Sequence, residues 1–315
     1  MRLDIFSEMQ HPKELWTGPD HEHRLIQETL EEARLADEMG YGVWWQVEHH
    51  AAVEFSYSSA PEIMLTAIAT STKNLHVGHS SVLAPTRFNH PIRIAERSAF
   101  IDHLSGGRFQ LGLARSTIPE WRTFNIEGDT TRGQMQQSFE LLEPVGEFVN
   151  NQVAFFTFVH CADSEREAME NGAAKAAAWY TAGSFTFFEA KDAFVKTAAE
   201  LEVLAKDPAG GGLTGQYLRN KNPNAPQSQA QRILGRIMSG ENVPDEQVWE
   251  VLSGQDSLIV GTQDQVRKGL KRYEALGIDA LMSFHQVGAL THDKVMKSIR
   301  LTGGLIPEFK TPAPP

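Results

Sequence analysis

The sequence predicts an α/β fold of the (β/α) TIM-barrel type, in which parallel strands form the inside and helices the outside. Two observations support this fold class. Short apolar runs alternate with longer amphipathic stretches through the first half of the chain. Four such strand and helix units fit into about 145 residues, which is the spacing of barrel units. With 315 residues and no linker that divides the chain, we expect one barrel domain over residues 1–315.

The elements of the first half follow from the apolar pattern. The predicted strands are the apolar runs 3–6, 42–50, 75–85 and 108–114. The predicted helices, which carry apolar residues at helical spacing, are 22–39, 60–70 and 91–104, followed by one near 131–145. Gly40 ends the first of these helices, and Pro85 ends the third strand.

The same alternation resumes in the second half. Predicted strands lie at 153–161, 257–261 and 280–285, and predicted helices at 263–276 and 291–302. Residues 164–205 are Ala-rich with many Glu and Lys residues, which favours a largely helical stretch. Residues 207–247 are rich in Gly, Pro, Asn and Gln, so that we expect a long surface excursion there.

Charge and composition exclude several function classes. The chain has a net charge of −11 and no basic patch, which argues against nucleic-acid and anionic membrane partners. Asp4 and Glu8 interrupt the apolar core that a signal peptide needs, and no apolar run reaches the length of a membrane span, so we expect a cytoplasmic protein. The single cysteine, Cys161, excludes an internal disulfide and a multi-cysteine metal site.

Glu48, His49 and His50 stand at the end of the second predicted strand. In a parallel barrel that end faces the catalytic mouth, and a histidine there can act as a general acid or base because its pKa lies near neutrality. A histidine that only caps loop carbonyls is the structural alternative. A metal site is disfavoured because adjacent strand residues point to opposite faces.

The third strand contains His79, Ser80 and Ser81 in a run that is otherwise apolar. Small polar residues there would let a planar aromatic ligand lie against the backbone. The structural alternative is a strand whose hydroxyl groups bond to the neighbouring ladder.

Arg115 lies just beyond the fourth strand, and Arg132 lies on the helix that follows. The planar guanidinium at a strand end is suited to a phosphate group. An ion pair with a nearby carboxylate, such as Glu120 or Glu127, is the alternative at this point.

Taken together, these segments resemble the bacterial-luciferase-like flavin-dependent monooxygenases over residues 1–145 and again over 257–309. The matching segments of the first half are GYGVWWQVEHH (40–50), LHVGHSSVLAP (75–85), NHPIRIAE (89–96) and DHLSGGRFQLGLARS (102–116). Four such segments, in order and at barrel spacing, make the resemblance specific.

The resemblance implies a protein that takes reduced FMN from a separate NAD(P)H:flavin reductase and uses O₂ to oxygenate a small organic substrate, as a homodimer. It matches His49 to the active-site histidine of the family, and Ser80 and Ser81 to a place where a non-prolyl cis peptide often meets the flavin ring. Arg115 resembles the arginine that meets the flavin phosphate, and Arg132 a second phosphate partner. We expect no metal ion in the site.

The sequence departs from the family after the helix near 131–145. The segment at 153–161 resembles the seventh strand of the family, so that the fifth and sixth strands are missing. We therefore expect an incomplete, open barrel, with its strand edges covered by the 207–247 excursion or by a second copy of the chain. The bulky residues Phe155, Phe156 and Phe158 would resist closure into a tighter barrel.

Two other functions are compatible with the same residues. A deazaflavin (F420)-dependent oxidoreductase would use the same mouth for hydride transfer without oxygen. A non-catalytic flavin-binding relative would have lost turnover together with the missing strands.

Overall fold

The computed structural model describes residues 1–142, 152–187 and 228–309, and their strands and helices confirm the predicted α/β class. All strands of the described residues belong to one sheet. They are β1 (Arg2–Ser7), β2 (Val43–Gln46), β3 (His76–Leu83), β4 (Phe109–Ala114), β5 (Ala154–Cys161), β6 (Leu258–Gly261) and β7 (Ala280–Phe284).

Helices follow most of these strands along the chain. They are α1 (His21–Met39), α2 (Pro61–Ser71), α3 (Pro91–Ser105), α4 (Ile118–Thr123), α5 (Thr131–Leu142), α6 (Glu165–Glu170), α7 (Ala173–Phe187), α8 (Gln229–Met238), α9 (Asp245–Leu252), α10 (Gln263–Ala275) and α11 (His292–Gly303). No helix in the described ranges is both long enough and apolar enough to cross a membrane.

The strand order is β4-β3-β2-β1-β7-β5-β6, and every neighbouring pair is parallel. The carboxyl ends of all the strands therefore lie at one edge of the sheet. β4 and β6 are its two outer strands, and no ladder joins them among the described residues. The predicted open sheet is confirmed within this part of the chain.

No further strand lies between β4 and β5 among the described residues. Between β4 and β5 the described residues form α4 and α5 but no strand, and residues 143–151 lie outside the description. β5 pairs with β7 on one side and with β6 on the other, so that β4 and β5 are not neighbours.

Close packing fixes the first half of the sheet. Gly40 ends α1 with a φ of 83°, a left-handed conformation that glycine adopts without a steric penalty. A Cβ atom on Gly78 of β3 would lie 2.1 Å from the ring of Trp45 on β2, so that only glycine fits there. Trp44, Leu65 and Val77 are buried in the core between the sheet and its outer helices.

The second strand is shorter than the predicted 42–50. β2 ends at Gln46, and beyond it the amide of His49 donates to the carbonyl of Ser58, outside the sheet. Ala51 has a φ of 56°, which turns the chain. Residues 48–50 therefore belong to the loop after the strand, where strand alternation no longer decides which way side chains point.

Only part of the expected excursion at 207–247 lies among the described residues. Residues 207–227 lie outside the described part of the chain, as do residues 188–205 of the predicted helical stretch. Residues 229–238 form α8, which begins with a capping box between Ser228 and Gln231. Ile233 and Val243 are buried, so that this end of the segment packs in the core and differs from the expected surface loop. Polar residues dominate this segment, so the sequence analysis overlooked its few apolar residues at helical spacing.

Candidate active site

The candidate active site lies at the edge of the sheet where the parallel strands end. Glu8 follows β1, His49 lies in the loop after β2, and Arg115 follows β4. Ser80 and Ser81 lie in the second half of β3. In parallel barrels this edge carries the catalytic groups, because the loops after the strands meet there.

His49 is bound by a buried carboxylate. Its Nδ1 atom lies 2.7 Å from Oε1 of Glu120, and the two side chains are 12% and 0% exposed. Burial lowers the pKa of His49, but the hydrogen bond to Glu120 and the negative charge of Glu8 outweigh this effect and raise it above its ordinary value. A carboxylate bound to one ring nitrogen fixes the orientation of the imidazole and favours its protonated form.

Glu120 is itself held by the start of α4. Its Oε2 atom accepts hydrogen bonds from the Thr117 amide at 2.9 Å, the Thr117 hydroxyl at 2.6 Å and the Ser116 hydroxyl at 2.8 Å. Burial raises the pKa of Glu120, but the bond with His49 and these donors lower it overall. The carboxylate stays charged and rigid. Sequence reasoning considered Glu120 only as a partner of Arg115, whereas the structure pairs it with His49.

Glu48 forms a second buried network beside the first. Its Oε1 atom lies 3.1 Å from Nε2 of His50 and accepts from the side-chain amide of Asn89 at 3.2 Å. Its Oε2 atom accepts from the Leu83 amide at 3.0 Å and lies 3.4 Å from Nε2 of His79. Burial raises the pKa of Glu48, but His50, His79 and the Leu83 amide more than offset this and lower it to about 2.

The two adjacent histidines thus face different partners. His49 binds Glu120, whereas His50 binds Glu48 and stacks on the ring of Phe88. The divergence arises in the loop, because the strand alternation on which the sequence argument rested ends with β2 at Gln46. The negative charge of Glu8 also acts on His49.

Ser80 and Ser81 are joined by a cis peptide bond, and the ladder between β3 and β4 shifts register there. Both side chains are half-buried. Among the described residues neither hydroxyl forms a hydrogen bond, so that they do not bond to the neighbouring ladder. Gly112 of β4 lies close by, since a Cβ atom on it would come within 2.9 Å of the His79 carbonyl oxygen.

Arg115 is exposed just beyond β4. Its guanidinium lies over the ring of Trp121, 5.4 Å from the ring centroid, and its carbonyl oxygen accepts from Nε1 of Trp121. Within the described ranges Arg115 forms no ion pair, so that the alternative partners Glu120 and Glu127 do not hold it. Arg132 is exposed at the start of α5 and also forms no ion pair with a described residue.

Sequence reasoning missed Glu8 and Tyr180. Glu8 directly follows β1, at the same edge as His49, and this position was a usable signal. It is 2% exposed and accepts hydrogen bonds from the hydroxyl of Tyr180 and the side-chain amide of Gln10, both at 3.1 Å. Tyr180 lies on α7, in an Ala-rich stretch that carries no sequence signal for a site.

Aromatic rings pack against one another beside these polar groups, and together they form an aromatic lining. They form a continuous set of stacked and edge-on contacts with centroid distances of 4.8 to 5.9 Å. The set consists of Phe6, Phe55, Phe156, Phe158, Tyr180 and Phe284, with His49 at one end. Such a lining excludes water and suits a planar organic ring.

The side chains present fit a flavin. The aromatic lining and the two serine hydroxyls without internal partners suit a flat ring system with polar atoms at its rim. The exposed guanidinium of Arg115, which no described carboxylate neutralises, suits a phosphate group. Apolar, hydroxyl and cationic groups thus occur in the combination that such a cofactor requires.

Comparisons with known proteins agree with this geometry. Residues 1–147 match the family model described as luciferase-like monooxygenase. Over 114 residues the chain is 34% identical to 4-hydroxyprotoasukamycin monooxygenase of Streptomyces nodosus subsp. asukaensis. The matched residues make up 36% of this chain and 30% of the relative. The chain is 33% identical over 115 residues to the oxygenase component of flavin-dependent trigonelline monooxygenase of Acinetobacter baylyi, with 36% and 30% covered. These matches span about a third of the length of the curated relatives.

The fold matches over almost the whole length. The oxygenating constituent of 3,6-diketocamphane monooxygenase of Pseudomonas putida, solved in complex with FMN, superposes with a TM-score of 0.61 over 99% of both chains, at 13% identity. At that identity the likeness shows the fold alone. The segment that matches the model of the luciferase-like monooxygenases, residues 1–147, carries His49, Ser80, Ser81 and Arg115.

Proposed function

We propose that the chain is a flavin-dependent monooxygenase that uses reduced FMN and O₂ to oxygenate a small organic substrate. The observation that carries this proposal is the buried pair of His49 and Glu120 at the strand ends, within the segment that matches the family. Reduced FMN, when bound, supplies the electrons with which oxygen is activated. A separate NAD(P)H:flavin reductase delivers it, as the description of one relative as an oxygenase component suggests.

The residues of this chain supply binding, orientation and proton control. His49 holds a proton at its imidazole, and Glu120 keeps the ring oriented. The aromatic lining excludes water from the reacting groups. Ser80 and Ser81 contact the flavin ring, and Arg115 binds the phosphate with Arg132 as a second partner.

An anaerobic titration with reduced FMN tests this proposal. We expect saturable binding, followed as a change in flavin absorbance and fluorescence, and a weaker affinity for reduced riboflavin, which lacks the phosphate. Binding of reduced F420 without binding of reduced FMN would replace the proposal by a deazaflavin-dependent hydride transfer. Binding of FMN without any effect on its reaction with oxygen would favour a non-catalytic flavin-binding protein.

Replacing Arg115 by alanine should weaken FMN binding by about 1.5–3 kcal/mol, the usual contribution of a hydrogen bond to a charged group. Riboflavin binding should change far less, because the lost guanidinium faces the phosphate. Calorimetric titration of both ligands measures the difference. Arg93→Ala, which removes an exposed arginine paired with Glu96 on α3, serves as the control. Equal losses for FMN and riboflavin would exclude Arg115 as the phosphate ligand.

The protein is also proposed to form a homodimer. The helices α2 and α3 expose an apolar face whose members include Ile63, Ile92, Phe100 and Leu104, and Phe100 is 71% exposed. A cluster of exposed apolar side chains on one face of a folded protein often marks an association surface. A second copy that presents the same face would bury it by two-fold symmetry.

We therefore expect Phe100→Glu to shift the protein from dimer to monomer, because it places a charge in the apolar face. Light scattering coupled to size-exclusion chromatography measures the mass of each species. Leu276→Glu, at a similarly exposed apolar residue just beyond α10, should leave the mass of the dimer unchanged. A wild-type protein that elutes as a monomer at all concentrations would contradict the dimer.

A further inference from the structure

The second half of β3 extends beyond the strand that pairs with it on one side. β2 and β3 pair as far as Gln46 and His79. On the other side, the ladder with β4 shifts register between His79 and Val82 and then continues to the end of β3. The end of β3, which carries Ser80 and Ser81, therefore has β4 as its only strand neighbour among the described residues.

The backbone of Leu83 shows what takes the place of β2 there. The Ala84 amide donates to the Ala114 carbonyl oxygen of β4 at 2.8 Å. Successive residues of a strand direct their backbone groups to opposite sides, so that Leu83 faces the side where β2 has ended. The Leu83 amide donates to Oε2 of Glu48 at 3.0 Å, and the Leu83 carbonyl oxygen accepts from Nδ2 of Asn89 at 3.1 Å. Two buried side chains thus replace a strand as hydrogen-bond partners.

The side chain of Asn89 is held in one orientation. Its Oδ1 atom accepts from Nη2 of Arg97, and a guanidinium offers donors only. Its Nδ2 atom donates to the Leu83 carbonyl oxygen and, at 3.2 Å, to Oε1 of Glu48, which are both acceptors. Arg97 is held in turn by Glu62 of α2, at 2.6 Å. Reversing the amide would place donor against donor and acceptor against acceptor.

We propose that Asn89 is a positioning residue for the flavin site and that Arg97 orients it. Together with Glu48, Asn89 fixes the end of β3 against the loop after β2, so that Ser80 and Ser81 keep one place at the strand ends. Binding then does not have to order the two hydroxyl groups, which preserves affinity. This inference rests on the proposed function, in which the two serines contact the flavin ring.

Hydrogen–deuterium exchange of the protein without cofactor tests the local role of Asn89. Asn89→Leu keeps the approximate size of the side chain and removes its three hydrogen bonds, so that exchange should quicken in peptides that span residues 80–84. Peptides that span β1 should exchange at the wild-type rate. Asn74→Leu, the same change at an exposed asparagine in the loop before β3, serves as the control. Unchanged exchange at residues 80–84 in folded Asn89→Leu would overturn the proposal.

Anaerobic titration with reduced FMN and with reduced riboflavin tests the role in the flavin site. Asn89→Leu should weaken both flavins equally, because the serines contact the ring that the two ligands share. The expected loss is about tenfold, the equivalent of one hydrogen bond. Arg115→Ala should instead weaken chiefly FMN. The absorbance spectrum of the bound flavin should also differ in Asn89→Leu, since the polar contacts at the rim of the ring change.

Arg97→Met tests the same role even if Asn89→Leu fails to fold. It should weaken both flavins by a smaller factor, because Asn89 stays in place but loses its fixed orientation. In the double variant the two losses should not add, since Arg97 acts through Asn89. Arg93→Met, at an exposed arginine on the same helix, should leave both affinities unchanged.

Wild-type affinity for both flavins in folded Asn89→Leu, or additive losses in the double variant, would contradict the proposal. If the wild-type protein binds neither flavin, the proposed function fails, whereas the exchange at residues 80–84 still decides whether Asn89 fixes the end of β3.

Discussion

Replacing His49 by alanine is expected to reduce the formation of oxygenated product by about a hundredfold, the usual scale for a lost acid or base. Binding of reduced FMN should persist, because the aromatic lining and Arg115 remain in place. The physical reason is the loss of an imidazole that Glu120 orients and charges at the strand ends. Steady-state product formation, with a flavin reductase supplying reduced FMN, is the measurement.

The matched control is His103→Ala, which removes an exposed histidine near the end of α3. It should leave turnover unchanged. Circular dichroism of His49→Ala separates a catalytic loss from a folding loss, since the variant should keep the wild-type spectrum. Full turnover in the folded variant would remove His49 from the mechanism.

Replacing Glu48 by alanine is expected to lower the free energy of unfolding by about 3–5 kcal/mol, the cost of removing one partner from a buried ionic network. The change leaves the buried Leu83 amide without its acceptor and removes the carboxylate that lies 3.4 Å from Nε2 of His79. Urea unfolding followed by tryptophan fluorescence measures the loss. Glu127→Ala, at an exposed carboxylate, should alter the stability by less than about 0.5 kcal/mol.

The same network makes the free energy of unfolding depend on pH, and the lowered pKa of Glu48 sets the direction. The pKa of Glu48 in the folded protein is about 2, below its ordinary value of 4.5, so that the unfolded chain binds more protons in between. The stabilisation is therefore present above about pH 4.5 and is lost as the pH falls toward 2. It amounts to roughly 3 kcal/mol. In Glu48→Gln this slope should disappear, and an identical acid profile for both proteins would contradict the role of Glu48.

The sequence predicted most of the fold because each strand has a local signature. The apolar runs that became β3, β4 and β5 were predicted within two residues at each end, and Gly40 ended α1 where expected. The order of the strands was not predictable in the same way. β7 comes last along the chain, but in the sheet it lies between β1 and β5, and β6 pairs with β5 at the outer edge. This order depends on packing between distant segments.

The roles of His49 and Arg115 stay predictions, but their positions at the strand ends were predictable, because each follows a strand. Partners that arrive from elsewhere were not. Glu120 comes from a short helix 71 residues further along the chain, and Tyr180 is 172 residues from Glu8. Neither residue has a spacing that local reasoning could detect, because only the tertiary fold brings them to the strand ends.

Admitting oxygen to the protein with bound reduced FMN tests the central claim most directly. Stopped-flow absorbance should show that reoxidation of the flavin follows a time course different from that of free reduced FMN. The difference should saturate as the protein exceeds the flavin, and His49→Ala should alter it. Reoxidation at the rate of free FMN, at protein concentrations that bind all of the flavin, would contradict the assignment of this chain as an oxygenase.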